Sequence, residues 1–399
     1  MYSNDEKYAA AAQMLGVGLM VASALCFMVG NHRIKVALSL FDGIMLFSIL
    51  LSYGTAAATQ ETYVFAYTTV FLITYLAILI ITNSMQDDEM MHCLLASILI
   101  ILALVLIVFG SKLLVALAPG ALRRWELREA PFGMHPNLAG FVYGGFIIII
   151  ANTSLGSGKW RILIKTVAIA LCLAVMLAAS ARGGLLAVAL TLSIYVFGQV
   201  LQARSSTLYL GIAGIALFAI LILFWDHIAA YAAEMLDLNS KERGVESGGT
   251  GRVDIWRRGI EFIGSRSWEI FLGSGLRSAT MDNVGFPTES SYINITIESG
   301  LFLTFALLCC FLYMLKRAYA LQLNRGGFFR LAFYALIFAL FQSVFNRYLI
   351  AIGNPFSLCI LLFSSRLSSR LAARSSFPQQ RSYASTTPSQ PRLQLRKQW

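Results

Sequence analysis

Polar residues able to do chemistry sit in a few well-separated stretches of an otherwise apolar chain. Arg182 lies in Ala179-Ser180-Ala181-Arg182-Gly183-Gly184, a tight break between two apolar runs. Arg252 opens a segment reaching Ile263 whose apolar positions 253, 255, 256, 259, 260, 262 and 263 follow helical spacing, as in an amphipathic helix on a membrane surface. Free amides at such a helix start, capped by Thr250 or Gly251, join a guanidinium fork to make a phosphate site. Trp256 lies on the same segment. His135 and Pro136 stand where a polar loop re-enters an apolar run, and Asn137 follows with a side chain free to bond a sugar. Arg123, Arg124 and Arg128 of that loop could hold a diphosphate or lipid head groups. Glu289 precedes a helix beginning near Tyr292, where a carboxylate suits the dipole and could also act as a general base. Each group has a plainer alternative: a snorkelling or solvated arginine, a structural histidine, a capping acid. Together, a cationic pocket with one base is what transfer from a lipid diphosphate needs.

Composition decides what must position these groups. The chain is 58% hydrophobic and 13% charged, with a mean hydropathy of +0.70, too apolar for a water-soluble fold. Spans of roughly 20 apolar residues without strand alternation read as helices. They are expected near 8–30, 36–55, 63–83, 92–110, 137–154, 162–180, 184–202, 207–225, 291–315, 329–348 and 350–365. The fold class is an all-α integral membrane protein, a polytopic bundle of about 11–12 transmembrane helices with one large outer loop containing short amphipathic helices. Residues 1–224 form an N-terminal bundle with an outer loop at 111–136, 225–290 the large loop, and 291–365 the C-terminal helices. Residues 366–399 read as a disordered basic tail attracted to anionic lipid, so the net charge of +11 is no nucleic-acid footprint.

Lys and Arg in the short loops at 32–35, 159–165, 204 and 316–330 place those loops in the cytoplasm and the chemistry-bearing residues outside. Asp87-Asp88-Glu89 falls on the cytoplasmic side despite its acidity. The six cysteines lie in or beside apolar runs without metal-ligand or redox spacing, and read as buried small hydrophobes.

Met134-His135-Pro136-Asn137, Ser180-Ala181-Arg182-Gly183, a long outer loop with Gly251-Arg252 and Trp256, Gly273-Ser274-Gly275, then Tyr292 and Glu298-Ser299-Gly300 occur in that order. The series resembles the O-antigen ligase and Wzy-type polymerase superfamily over most of the chain. The resemblance implies a glycosyltransferase of the bacterial inner membrane that takes a glycan from undecaprenyl diphosphate on the periplasmic side, with no metal or other cofactor. It gives Arg182 and Arg252 the donor diphosphate. Where the ligases carry a histidine eleven residues before the glycine matched by Gly300, this chain has Glu289, followed by Ser290, Ser291 and Tyr292.

That departure favours a polymerase of O-antigen or exopolysaccharide repeat units, with Glu289, Arg182 and Arg252 catalytic. His135, Asn137, Arg123, Arg124, Trp256, Ser290, Ser291 and Tyr292 are then the substrate-binding candidates. The partners expected are the undecaprenyl-diphosphate-linked glycan, an acceptor glycan or lipid A-core, membrane lipids and a chain-length regulator. An O-antigen ligase is the nearest alternative. A transporter or flippase would usually carry internal repeats and broken helices at mid-membrane depth, whereas no repeat shows and the polar residues gather at one face. A non-catalytic scaffold would tolerate loss of Arg182 and Glu289.

Overall fold

In the computed structural model, residues 37–117, 130–153, 158–202, 252–265, 269–278, 288–325 and 327–375 are described, with some helical residues between 16 and 28. The expected helix at 207–225, the caps Thr250 and Gly251, and Arg123, Arg124 and Arg128 lie outside the described residues. What is described is helical: α1 (Leu40–Thr59), α2 (Thr62–Ser84), α3 (Asp87–Ala116), α4 (Pro136–Asn152), α5 (Lys159–Ala178) and α6 (Arg182–Gln202). There follow α7 (Arg252–Ser265), the single turn α8 (Glu269–Leu272), α9 (Ser291–Arg325), α10 (Gly327–Gln342) and α11 (Pro355–Ser375). Five of them, α1, α2, α3, α5 and α9, are long and apolar enough to cross a membrane, and shorter apolar helices α4, α6 and α10 accompany them. The chain is an α-helical membrane protein.

Local chemistry explains where the helices start. Ser39 and Asp42 form a capping box, and buried Asp42 also accepts from Tyr75 Oη at 2.7 Å, so its carboxylate is paid no desolvation without partners. At the start of α3, Gln86 and Glu89 cap each other, and Asp87-Asp88-Glu89 fill the first turn, where the helix dipole favours acids. This gives the acidic loop its reason: it is a helix N-terminus rather than a topological signal.

α4 is apolar on every face and is buried from Ala139 to Ile150, so it forms the bundle's centre. Gly140 and Gly184 let α4 and α6 touch backbone to backbone; a Cβ on Gly140 would stand 3.2 Å from Gly184 Cα. Ile100, Leu104 and Ile107 of α3 and Trp160 and Ile162 of α5 face outward, as suits contact with lipid tails.

The last three helices differ from expectation. α9 continues to Arg325 but is broken at Gly300, whose backbone is left-handed (φ 78°, ψ 167°). Into this break fits the loop 273–278: Ser274 N–H donates to Ile297 O (2.8 Å), Gly275 N–H to Glu298 O (2.9 Å), and Leu276 N–H to Ser52 Oγ on α1 (2.8 Å). Carbonyls that would lack helical partners at the kink are thereby satisfied inside the bundle. α10 stops at Gln342, and a non-helical loop at 343–354 separates it from α11, where a nearly continuous pair of spans was expected.

α11 also runs to Ser375, carrying residues 366–375 out of the expected disordered tail. Arg366 is the reason that stretch is ordered. Its guanidinium donates to Asp87 Oδ1 (2.8 Å), Met85 O (2.8 Å) and Thr82 O, and Arg370 adds a second contact to Asp87. Replacing Arg366 by Ala strands two carbonyls at the end of α2 together with Asp87, and is expected to cost about 2–4 kcal/mol. Thermal unfolding of the purified variant checks this; an unchanged midpoint would show that water replaces the guanidinium.

Candidate functional site

Four helices begin at the same end of the bundle: α4 after His135, α6 at Arg182, α7 at Arg252 and α9 at Ser291. The positive ends of their dipoles are thus gathered where the sequence places its arginines. Non-glycine residues with left-handed backbone precede three of these starts: Phe132 (φ 58°), Ser180 (φ 51°) and Glu289 (φ 45°). Such residues commonly mark functional sites, because the surroundings must hold them in place.

The centre is a triangle of side chains from three of these starts. Arg252 Nε donates to Glu289 Oε2 at 3.0 Å, Arg252 Nη2 donates to Asn137 Oδ1 at 3.2 Å, and Asn137 Nδ2 donates to Glu289 Oε2 at 3.3 Å. Arg252 and Glu289 keep 22% and 27% of their side-chain surface exposed, so the pair is reachable by a ligand from outside. Glu289 is not a capping acid here: among the described residues its carboxylate accepts from side chains of other elements and not from the amides of α9. α7 reaches this position by laying Gly259 on Ile293 and Thr288 at the head of α9, where a Cβ would collide with Ile293. Val253 and Ile260 of α7 stay exposed, and Trp256 is half-buried with no hydrogen-bond partner for Nε1 among the described residues.

Arg182 is joined to the triangle through the 343–354 loop and the end of α10. With its amide oriented to satisfy both, Gln342 donates to Gly183 O (2.7 Å) and accepts from Gly184 N–H (3.3 Å), so it caps the start of α6. Gly183 packs on Phe345, and the Arg252 guanidinium lies 5.9 Å from the centre of the same ring. His135 is the N-cap of α4, its Nδ1 accepting from Asn137 N–H at 3.3 Å, which leaves the proton on Nε2.

Two expected substrate contacts are engaged elsewhere. Ser291 Oγ donates to Asn346 O (2.7 Å) and accepts from Leu349 N–H (3.1 Å), while Tyr292 Oη donates to Leu340 O. These hydroxyls fasten α9 to the 343–354 loop and to the last turn of α10. Ser290 is buried, and its carbonyl accepts from Asn294 N–H at 3.0 Å. Sequence reasoning missed that loop, although Asn354-Pro355 signals it: Asn354 Oδ1 accepts from Ser357 N–H (2.8 Å) and Pro355 is the first residue of α11.

Burial lowers the His135 pKa below its usual 6.5; Glu289 pulls it upward, and Arg347 and Arg252 push it further down. The imidazole is therefore neutral at pH 7. Because the unfolded chain binds this proton more readily, its contribution to stability is complete above about pH 6.5 and is lost as the pH falls toward the depressed folded value. The melting temperature is expected to drop on acidification from pH 7 to 5, and less steeply in His135→Asn, which can still cap α4. Equal slopes in the two proteins would remove His135 from the acid response.

Among the described residues no three His, Cys, Asp or Glu side chains converge to hold a metal ion. No family model matches the chain, and no curated protein matches it.

Proposed function

We propose that the protein is a membrane glycosyltransferase that polymerises oligosaccharide repeat units carried on undecaprenyl diphosphate, working at the outer face of a bacterial inner membrane. The observation that carries this reading is the triangle of Arg252, Asn137 and Glu289, drawn from three distant segments to the end where four helices begin. Guanidinium groups and helix starts suit a diphosphate, and the adjacent carboxylate suits an acceptor hydroxyl.

In the proposed reaction, Glu289 takes the proton of an acceptor hydroxyl as its oxygen bonds to the anomeric carbon of the donor glycan. The bond from that carbon to the phosphate oxygen breaks, and undecaprenyl diphosphate leaves with the electron pair. Arg182 and Arg252 meet the charge that develops on it. Direct displacement inverts the anomeric centre. Asn137 orients both Glu289 and Arg252 through the observed bonds. Binding of the diphosphate to Arg252 would also loosen that residue's hold on Glu289, freeing the carboxylate to bond the acceptor hydroxyl once donor is present.

Transport is the second reading, because α9 is broken at Gly300, within a candidate span. Broken helices are common at the ion and substrate sites of transporters. Purified protein in lipid, supplied with undecaprenyl-diphosphate-linked repeats, separates the readings. A ladder of multiples supports polymerisation. Product formed only with added lipid A-core indicates a ligase, and no product from verified substrate removes transfer chemistry in favour of transport.

A further inference from the structure

The 343–354 loop takes no part in the reaction outlined above, yet it brings another cation to the site. Asn346 and Leu349 are each bonded to Ser291 Oγ through their backbone, and Asn346 Oδ1 accepts from Tyr348 N–H at 2.9 Å. Arg347 is therefore held between two anchors at the head of α9, two residues from Glu289 along the chain that carries the base. It is half-buried, and its guanidinium lies 5.8 Å from the Tyr348 ring. Its charge is felt at His135, the N-cap of α4.

The two better-placed arginines differ in charge balance. Arg252 is already neutralised by Glu289 at 3.0 Å, whereas Arg347 makes no salt bridge with any described residue. A half-buried guanidinium without a carboxylate gains most from an anion arriving from outside.

We infer that Arg347 is a third anion-binding residue that grips the phosphate of the lipid-linked donor from the 343–354 loop. The identity of the anion rests on the glycosyl-transfer reading; the capture of a phosphate does not.

The test uses the full chain in nanodiscs. Arginines are labelled with phenylglyoxal, with and without undecaprenyl diphosphate, and the labelled sites are read by peptide mass spectrometry. Undecaprenyl diphosphate is expected to slow labelling of Arg347 several-fold while leaving Arg257, whose side chain is 65% exposed, unaffected. Arg347→Gln is expected to weaken binding of the same lipid by about tenfold, the effect of one charge-assisted hydrogen bond, with partial recovery in Arg347→Lys. Unprotected Arg347 in a protein that binds the lipid overturns this inference alone. So does equal protection by phosphatidylglycerol, which would make the site a general lipid contact. Failure of the wild-type protein to bind undecaprenyl diphosphate overturns both this inference and the proposed function. Because labelling is read on the unaltered chain, misfolding of a variant cannot hide the answer.

Discussion

Glu289→Gln is expected to lower the polymerisation rate by about 10²–10⁴-fold, the range general-base catalysis contributes, while leaving the protein folded. The amide has the shape of the carboxylate, and its oxygen can still accept from Arg252 and Asn137, which now donate to Oε2 at 3.0 and 3.3 Å. What disappears is the charge of a partly exposed ion pair, on the order of 1 kcal/mol of stability. What disappears with it is the only strong base of the triangle. The loss should therefore appear in kcat, with little change in melting temperature and no weakening of donor binding. Asn137→Ala provides the contrast: it keeps the base but removes its orientation, so it should slow the reaction less. A Glu289→Gln protein that still builds a full ladder would remove this carboxylate from the chemistry.

The largest effect on folding is expected at the break in α9. Gly300→Ala faces two independent obstacles. Its φ of 78° is costly for any residue with a side chain, and the added methyl would run into the Phe271 carbonyl. Gly273 presents the mirror problem, at φ 77° and against the Glu298 carbonyl. Neither obstacle is the tip of a flexible side chain, so neither can be relieved by a rotamer change. Each substitution is expected to cost at least about 3 kcal/mol, well above the usual effect of a single change. The checks are the yield of monodisperse protein after extraction and its melting midpoint. Gly264, which has open space around it, is the control, and Gly264→Ala should be nearly neutral. If Gly300→Ala melts with the wild type, the loop 273–278 is not seated in α9 as described.

The sequence made some of this legible and left some of it hidden, for physical reasons that differ by residue. Period and composition were enough for α4, expected at 137–154 and found as Pro136–Asn152, because an all-apolar run bounded by Pro and by Asn-Thr has few other options. Arg252 could be placed at a helix start, since Gly251 and Thr250 precede it, whereas Arg182 was legible only as a break between two apolar runs and proves to open α6. The triangle at Glu289 was legible only as a shared face; that Asn137 would bond both Arg252 and Glu289 depends on side-chain reach across helices, which spacing along one chain does not encode. The two motifs around Gly273 and Gly300 appeared as separate signals, and their union as one joint is a backbone contact with no sequence period. Ser291 and Tyr292 looked like substrate contacts because hydroxyls beside a base usually are; the 343–354 loop claims the first and the last turn of α10 the second. That loop was hidden because its flanks are apolar enough to read as uninterrupted helix. The ordered stretch 366–375 was hidden because its serines and arginines look solvated until Asp87 is brought beside them.

The joint at Gly300 also fixes what the head of α9 moves with. Residues 291–299 are stitched to the 273–278 loop and covered by α7, so Arg252 and Glu289 ride on one block, whereas Asn137 and Arg182 belong to the packed pair α4 and α6. The seam between the two blocks is crossed at the triangle by the two bonds of Asn137 and by Arg252 against Phe345, which packs on Gly183. A cleft opening along that seam would carry base and guanidinium away together, still paired, and would present a widening slot rather than a closed cup. Under the proposed polymerisation, such a slot would let a lengthening glycan slide past the reacting end without being released.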